Sequence, residues 1–223
     1  MTDLTPACAK CPYPWPERLC NIENGKGLGS CPTLHKKELL DESMKKYADP
    51  QELRFAQNAS VQESECYERL EGGGVKPLKP RILEIAEFAK KMGYQRLGLI
   101  FCVGLVSEAK AVDKFYGGQG FEMVSVACKA GRTPKEAIGL NEDQKILPNT
   151  FESMCNPIFQ AEIVNDEKVD FNIIMGLCVG HDSLVIKYLD APVTVLAVKD
   201  RLMGHNPLAA VYNMDSYYAY LKK

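Results

Sequence analysis

The chain has 223 residues, 46% of them hydrophobic and 25% charged, with a formal net charge of -2. That composition is ordinary for a globular protein, and the near-neutral charge argues against nucleic acid or an anionic membrane as a partner. No apolar run approaches a membrane span, and the start, MTDLTPACAK, lacks the basic region and apolar core of a secretory signal, so the expectation is a cytoplasmic protein whose nine cysteines stay reduced.

Residues 1–32 are irregular, with five prolines, three glycines and four cysteines spaced C-x2-C-x8-C-x10-C at Cys8, Cys11, Cys20 and Cys31. Apart from Trp15, Leu19, Ile22 and Leu28 there is little apolar material to build a core. A metal centre would supply the missing folding energy. The leading Cys-x2-Cys is the usual opening of a tetrathiolate site, used by zinc and by [4Fe-4S] clusters alike. Cys11-Pro12 and Cys31-Pro32 resemble the Cys-Pro of bacterial ferredoxins, which favours iron; Zn2+ is the alternative at Cys8, Cys11, Cys20 and Cys31.

Residues 33–74 read as a helical segment. Thr33 caps a first helix over 34–47, and Asp49-Pro50 starts a second over 51–70 with an imperfect apolar stripe. Cys66 in that helix reads as packing. Gly72-Gly73-Gly74 ends the segment, and 75–80 reads as a linker, which makes this the expected boundary.

An α/β domain is expected over 75–223. A helix over 81–92 stops at Gly93. Strands are expected at 96–103, 121–127, 170–177 and 192–199, with helices at 106–116, 157–165 and 183–189 between them. The short Ile-, Leu- and Val-rich runs suit strands buried on both faces. Alternating strand and helix give a parallel, doubly wound, Rossmann-like sheet. The polar stretch 141–150 reads as a surface loop over the site. The chain closes with two short helical pieces carrying four tyrosines.

Two stretches share a pattern. RLGLIFCVGLVSEAK (96–110) and DFNIIMGLCVGHDSLVIKYL (170–189) each run from an apolar strand through Cys-Val-Gly into a helix. Cys102 and Cys178 should therefore stand at the carboxyl ends of strands, where open α/β sheets bind ligands. Cys128 follows the second strand, and Cys155 precedes Asn156-Pro157, a good N-cap with proline at the first helical position. A single free cysteine is often a small buried hydrophobe. Four at matching positions point to a metal, a cofactor or catalysis. Cys102, Cys128, Cys155 and Cys178 are thus the expected cofactor-binding set. His181 and His205 are candidate proton donors at the same edge, with Lys129, Arg132, Lys199 and Arg201 around it. No G-x-G-x-x-G, Walker A or G-x-S-x-G motif is present, which disfavours a nucleotide enzyme or hydrolase.

The cysteine-rich cap and the runs F-C-V-G-L-x-x-E-A (101–109), S-V-A-C-K-A-G (125–131), M-C-N-P-I-x-Q-A-E-I (154–163), G-L-C-V-G-H-D-S-L (176–184) and V-K-D-R-L-M-G-H-N-P (198–207) resemble domain-of-unknown-function family 1847. Its members are small proteins, mostly of anaerobes, often labelled zinc- or metal-binding. The resemblance implies metal binding, at the four cap cysteines and at the four body cysteines with His181 and His205, and an anaerobic setting adds weight to oxygen-sensitive clusters. The expectation is a cysteine-ligated iron–sulfur protein with a redox or reductive role, serving an electron-transfer partner or a small-molecule substrate. The alternatives are a zinc protein whose body cysteines do thiol or sulfur-transfer chemistry, and a metal sensor or carrier.

Overall fold

The computed structural model describes residues 4–222 and divides into two compact units, Met1–Ser60 and Val61–Lys223. Among the described residues no helix is long and apolar enough to cross a membrane.

No residue from 4 to 60 is buried. The first part of this unit is held by single turns of 3-10 helix at Cys8–Lys10 and Trp15–Glu17, and by a bridge pairing Arg18 with Lys26. Around that bridge Leu19 N donates to Lys26 O at 2.9 Å and Lys26 N to Glu17 O at 2.7 Å. The return is so tight that a Cβ on Gly25 would stand 2.5 Å from the Arg18 carbonyl carbon. Helices α1 (Pro32–His35), α2 (Lys37–Lys45) and α3 (Pro50–Glu65) follow, α3 running on into the second unit.

The helical reading of 33–74 ends early. α3 stops at Glu65, and β1 (Tyr67–Arg69) pairs antiparallel with β2 (Val75–Pro77). The glycine triplet is the turn of this hairpin, not the start of a linker. All three glycines take positive φ (110°, 94° and 89°), a region closed to most side chains. Cys66, just before β1, is buried, and its thiol donates to Gln62 O at 3.0 Å, in line with a packing role.

The rest of the second unit is a mixed α/β arrangement. α4 (Arg81–Met92) ends at Gly93 in the left-handed conformation. Then come β3 (Arg96–Phe101), α5 (Val106–Gly118), β4 (Glu122–Ala127), α6 (Pro157–Asp166), β5 (Phe171–Met175), α7 (His181–Tyr188), β6 (Val193–Ala197) and α8 (Leu208–Tyr212). The four strands β3 to β6 form one parallel sheet in the order β4-β3-β5-β6. β5 is buried along its whole length, apolar except for Asn172, whose side chain donates to Ala191 O at 3.3 Å.

Side chains alternate across a strand, and the core divides accordingly. Leu97, Leu99, Ile173 and Met175 join Ile85, Ala86 and Ala89 of α4 and Ala109, Val112 and Tyr116 of α5. Ile100, Val126 and Ile174 join Val164 of α6 and Val185 of α7, and this second cluster also takes in Cys102 and Cys128. Each fully buried Leu or Ile contributes about 1.5–3 kcal/mol relative to an exposed one, so this unit is stabilised by its own packing.

Candidate functional site

The parallel register pairs Phe101 with Ala127, so the next residues on the two strands, Cys102 and Cys128, come side by side at the carboxyl edge. Cys128 N donates to Phe101 O at 2.9 Å, and Cys102 N to Met175 O at 3.2 Å. Cys155 arrives from a distant part of the chain. Asn156 N donates to Cys128 O at 2.8 Å, and the Asn156 side chain caps α6 by accepting from Phe159 N at 3.1 Å, with Pro157 opening the helix. Lys129 Nζ ties down the segment by donating to Ser153 O. The result puts Cys155 Sγ 3.7 Å from Cys128 Sγ.

Cys128 is the middle member of this trio, because its thiol acts on both Cys102 and Cys155. Its single proton can serve only one neighbour at a time. That contact, with the Gly104 N–H and the Lys199 ammonium, brings the Cys102 thiol down to about 5 despite burial. Cys155 is held down to about 6, first by Cys128 and then by the charges of Lys129 and His181. Cys128 is pushed strongly up, since both neighbours ionise before it and it is 2% exposed. Val103 N also donates to Cys128 Sγ at 3.3 Å. A Cβ on Gly104 would lie 3.6 Å from Lys199 Nζ and 3.7 Å from Cys102 Sγ, so the cation and the sulfur meet over that glycine. Cys102 and Cys128 are buried, while Cys155 is half-buried.

The fourth expected member, Cys178, has Arg201 as its partner. Gly176 takes φ +67°, and the Cys178 sulfur accepts from Arg201 Nη2 at 3.0 Å. Its carbonyl accepts from His181 N and Asp182 N at 3.0 and 3.2 Å, which starts α7. His181 lies near enough to act electrostatically on Cys155. His205 adopts φ +65°, and its Nδ1 accepts from Asp200 N at 3.2 Å, closing a local turn.

One residue was not anticipated. Gln160, fully buried on α6, donates through Nε2 to Val126 O at 2.9 Å and to Phe101 O at 3.2 Å. It clamps together the two strand ends that carry Cys102 and Cys128. Two carbonyl partners fix the amide orientation, and they leave Oε1 buried without a partner among the described residues.

The cap forms a separate site. Cys8, Cys11, Cys20 and Cys31 all line one pocket of about 100 Å³, with Arg18, Lys26 and Gly27 beside them. A Cβ on Gly27 would approach Cys31 Sγ to 3.2 Å, so glycine there leaves that sulfur its room. Sulfur–sulfur hydrogen bonds among the described residues are confined to the trio at the sheet edge. Neither site has three Cys, His, Asp or Glu side chains already arranged to hold an ion. The cap donors nonetheless fit a tetrathiolate centre: four soft ligands and two nearby cations surround one cavity.

With the geometry in hand, relatives can be placed beside it. A family model described as protein of unknown function (DUF1847) matches residues 31–196, a span that includes Cys31, Cys102, Cys128, Cys155, Cys178 and His181 and leaves out Cys8, Cys11, Cys20 and His205. An uncharacterised protein of Methanocaldococcus jannaschii is 39% identical over 188 residues, covering 84% of this chain and 89% of the relative. The chain belongs to the DUF1847 family.

Proposed function

We propose that this protein is a cytoplasmic redox metalloprotein, with an iron–sulfur centre in the cap and thiol chemistry at the edge of the sheet. The observation that carries the metal reading is the cap pocket: four cysteines line one cavity in a unit with no buried residue from 4 to 60. Such a segment needs a ligand to fold, and thiolates supply it through a metal. Cys8, Cys11, Cys20 and Cys31 would hold the centre, and Arg18 and Lys26 would balance its negative charge. A [4Fe-4S] cluster bound there would supply one-electron transfer. Cys11-Pro12 and Cys31-Pro32, which resemble the Cys-Pro of bacterial ferredoxins, favour the cluster over zinc.

The body supports a different use of sulfur. We read the sheet as doubly wound and Rossmann-like, its order β4-β3-β5-β6 placing the switch point between β3 and β5. Ligands bind at that crevice in open α/β sheets, and Cys102 and Cys178 both follow those strands. Cys102, Cys128 and Cys155 form a thiol centre there, within reach of an electron-transfer partner or a small-molecule substrate. A second reading, in which these three and Cys178 hold another cluster, draws support from their convergence on one edge and is an outcome of the same test.

That test is iron, zinc and acid-labile sulfide analysis with electron paramagnetic resonance on protein purified without oxygen. The proposal expects about four irons per chain, lost on substituting a cap cysteine and kept in Cys102→Ser and Cys155→Ser. About eight irons, half of them lost with Cys155→Ser, would move the body to the second reading. Zinc without iron would replace the cluster in the cap.

A further inference from the structure

We propose that Cys155, Cys128 and Cys102 form a three-thiol relay that reduces a negatively charged low-molecular-weight disulfide. This rests on reading the trio as a thiol centre rather than as cluster ligands.

The geometry orders the three sulfurs by access. Cys155 is half-buried, and Cys128 and Cys102 are 2% and 8% exposed, so a substrate reaches Cys155 first. Cys155 Sγ is 3.7 Å from Cys128 Sγ, and the Asn156 N to Cys128 O bond at 2.8 Å brings the two backbones together, so a bond between the sulfurs needs only a local movement. Cys128 lies beside Cys102 through the paired register of β3 and β4. Lys129 and Lys199 flank the two ends, with Arg201 on the neighbouring Cys178. Cations at a sulfur edge draw in an anionic disulfide and repel a cationic one.

The chemistry balances without another group. The Cys155 thiolate attacks one sulfur of RS–SR, forming a mixed disulfide and releasing one thiolate. Cys128 then attacks the Cys155 sulfur and expels the second R group, which leaves as a thiol with the Cys128 proton. The Cys128–Cys155 disulfide does not have to be the end point. The Cys102 thiolate attacks Cys128, the disulfide moves inward to Cys102–Cys128, and Cys155 returns to its starting thiolate. Two electrons pass from Cys102 and Cys128 to the substrate. An external dithiol restores the pair by ordinary exchange.

The test uses full-length protein, prepared without oxygen and reduced, with oxidised glutathione as the anionic probe and cystamine as the cationic one. Peptide mapping after acid quench should find a Cys102–Cys128 disulfide with Cys155 free, and about two glutathione thiols released per chain. In Cys102→Ser the disulfide should stop at Cys128–Cys155, and in Cys128→Ser glutathione should stay on Cys155. Oxidised glutathione should react about tenfold faster than cystamine. Glutathione retained on Cys155 of the unsubstituted chain, or no linkage among the three cysteines, overturns the relay, and the unsubstituted map is decisive even where a variant folds poorly. Iron on the same sample separates the two levels. About four irons with no disulfide sinks the relay alone, and about eight irons with the trio shielded until iron is removed sinks the thiol reading with it.

Discussion

The cap and the sheet edge gather cysteines in opposite ways. The cap places four around an open pocket, on loops and single turns, with no buried residue from 4 to 60 to hold them. The body brings three into contact at the ends of a packed sheet, with Cys102 and Cys128 inside its core and Cys155 packed against it. The first arrangement suits sulfur as the source of structure, and the second suits sulfur positioned by structure.

The largest effect should come from breaking the cap. Cys20→Ser should abolish its metal content and leave 1–32 without folded structure, while the α/β unit keeps its cooperative unfolding transition. Metal analysis and circular dichroism measure both halves of this expectation. A Cys20→Ser protein with full metal content would erase the contrast between the regions.

Next in size is a packing defect in the body. A Cβ on Gly98 would stand 2.5 Å from Asn172 Oδ1 and 3.3 Å from Val164 Cγ1 and Val169 Cγ2, in the fully buried middle of β3. Gly98→Ala should cost about 1–3 kcal/mol, read from the urea midpoint, with the iron of the cap unchanged. Loss of iron in that variant would mean that the two regions do not stand apart as the contrast requires.

Gln160→Leu is a subtler probe of the same contrast. It removes the clamp on Phe101 O and Val126 O but also the unpartnered Oε1, so the net cost should be about 1 kcal/mol. Its signature is chemical: with the strand ends freed, the Cys128–Cys155 disulfide should form more slowly under the same oxidant. An unchanged rate would leave Gln160 as a packing residue.

The sequence made much of this legible, for identifiable reasons. Both Cys-Val-Gly stretches announce a strand end, and Cys102 and Cys128 meet because parallel register carries strand ends to the same height. Asn156-Pro157 announces a helix start, which delivers Cys155. Spacing does not encode the partner that Cys178 takes: Gly176 adopts φ +67°, and the sulfur accepts from Arg201. The hairpin at 67–77 was hidden because a glycine triplet reads equally as a linker. His205 follows β6 in the chain, and its Nδ1 accepts from Asp200 N in a local turn. Gln160 looked like one more polar residue on an amphipathic helix, and only its two carbonyl partners reveal the clamp.

The smallest effect, and the sharpest on the body, is a shift in pH dependence. Cys155 is lowered from 9.0 to about 6, first by Cys128 and then by Lys129 and His181, with burial and then the Cys102 charge opposing. Cys102 is lowered to about 5 by Cys128, the Gly104 N–H and Lys199. Both folded values lie below those of a free thiol. What these two thiols contribute is present above pH 9 and is lost as pH falls through about 6 for Cys155 and about 5 for Cys102, while Cys128, raised by both neighbours, acts in the opposite sense as pH rises. The same ionisations set reactivity, because the thiolate is the nucleophile. Lys129→Ala removes one of the lesser causes at Cys155, so the midpoint of its alkylation profile should rise by less than about one unit, in line with a single nearby charge. Cys102 has a different cation, Lys199, so its midpoint should stay in place. Lys199→Ala should reverse the pattern. Iodoacetamide alkylation followed residue by residue across pH 4–9 distinguishes them. Midpoints that move together in both variants would show that the trio titrates as one group and that neither lysine has a thiol of its own.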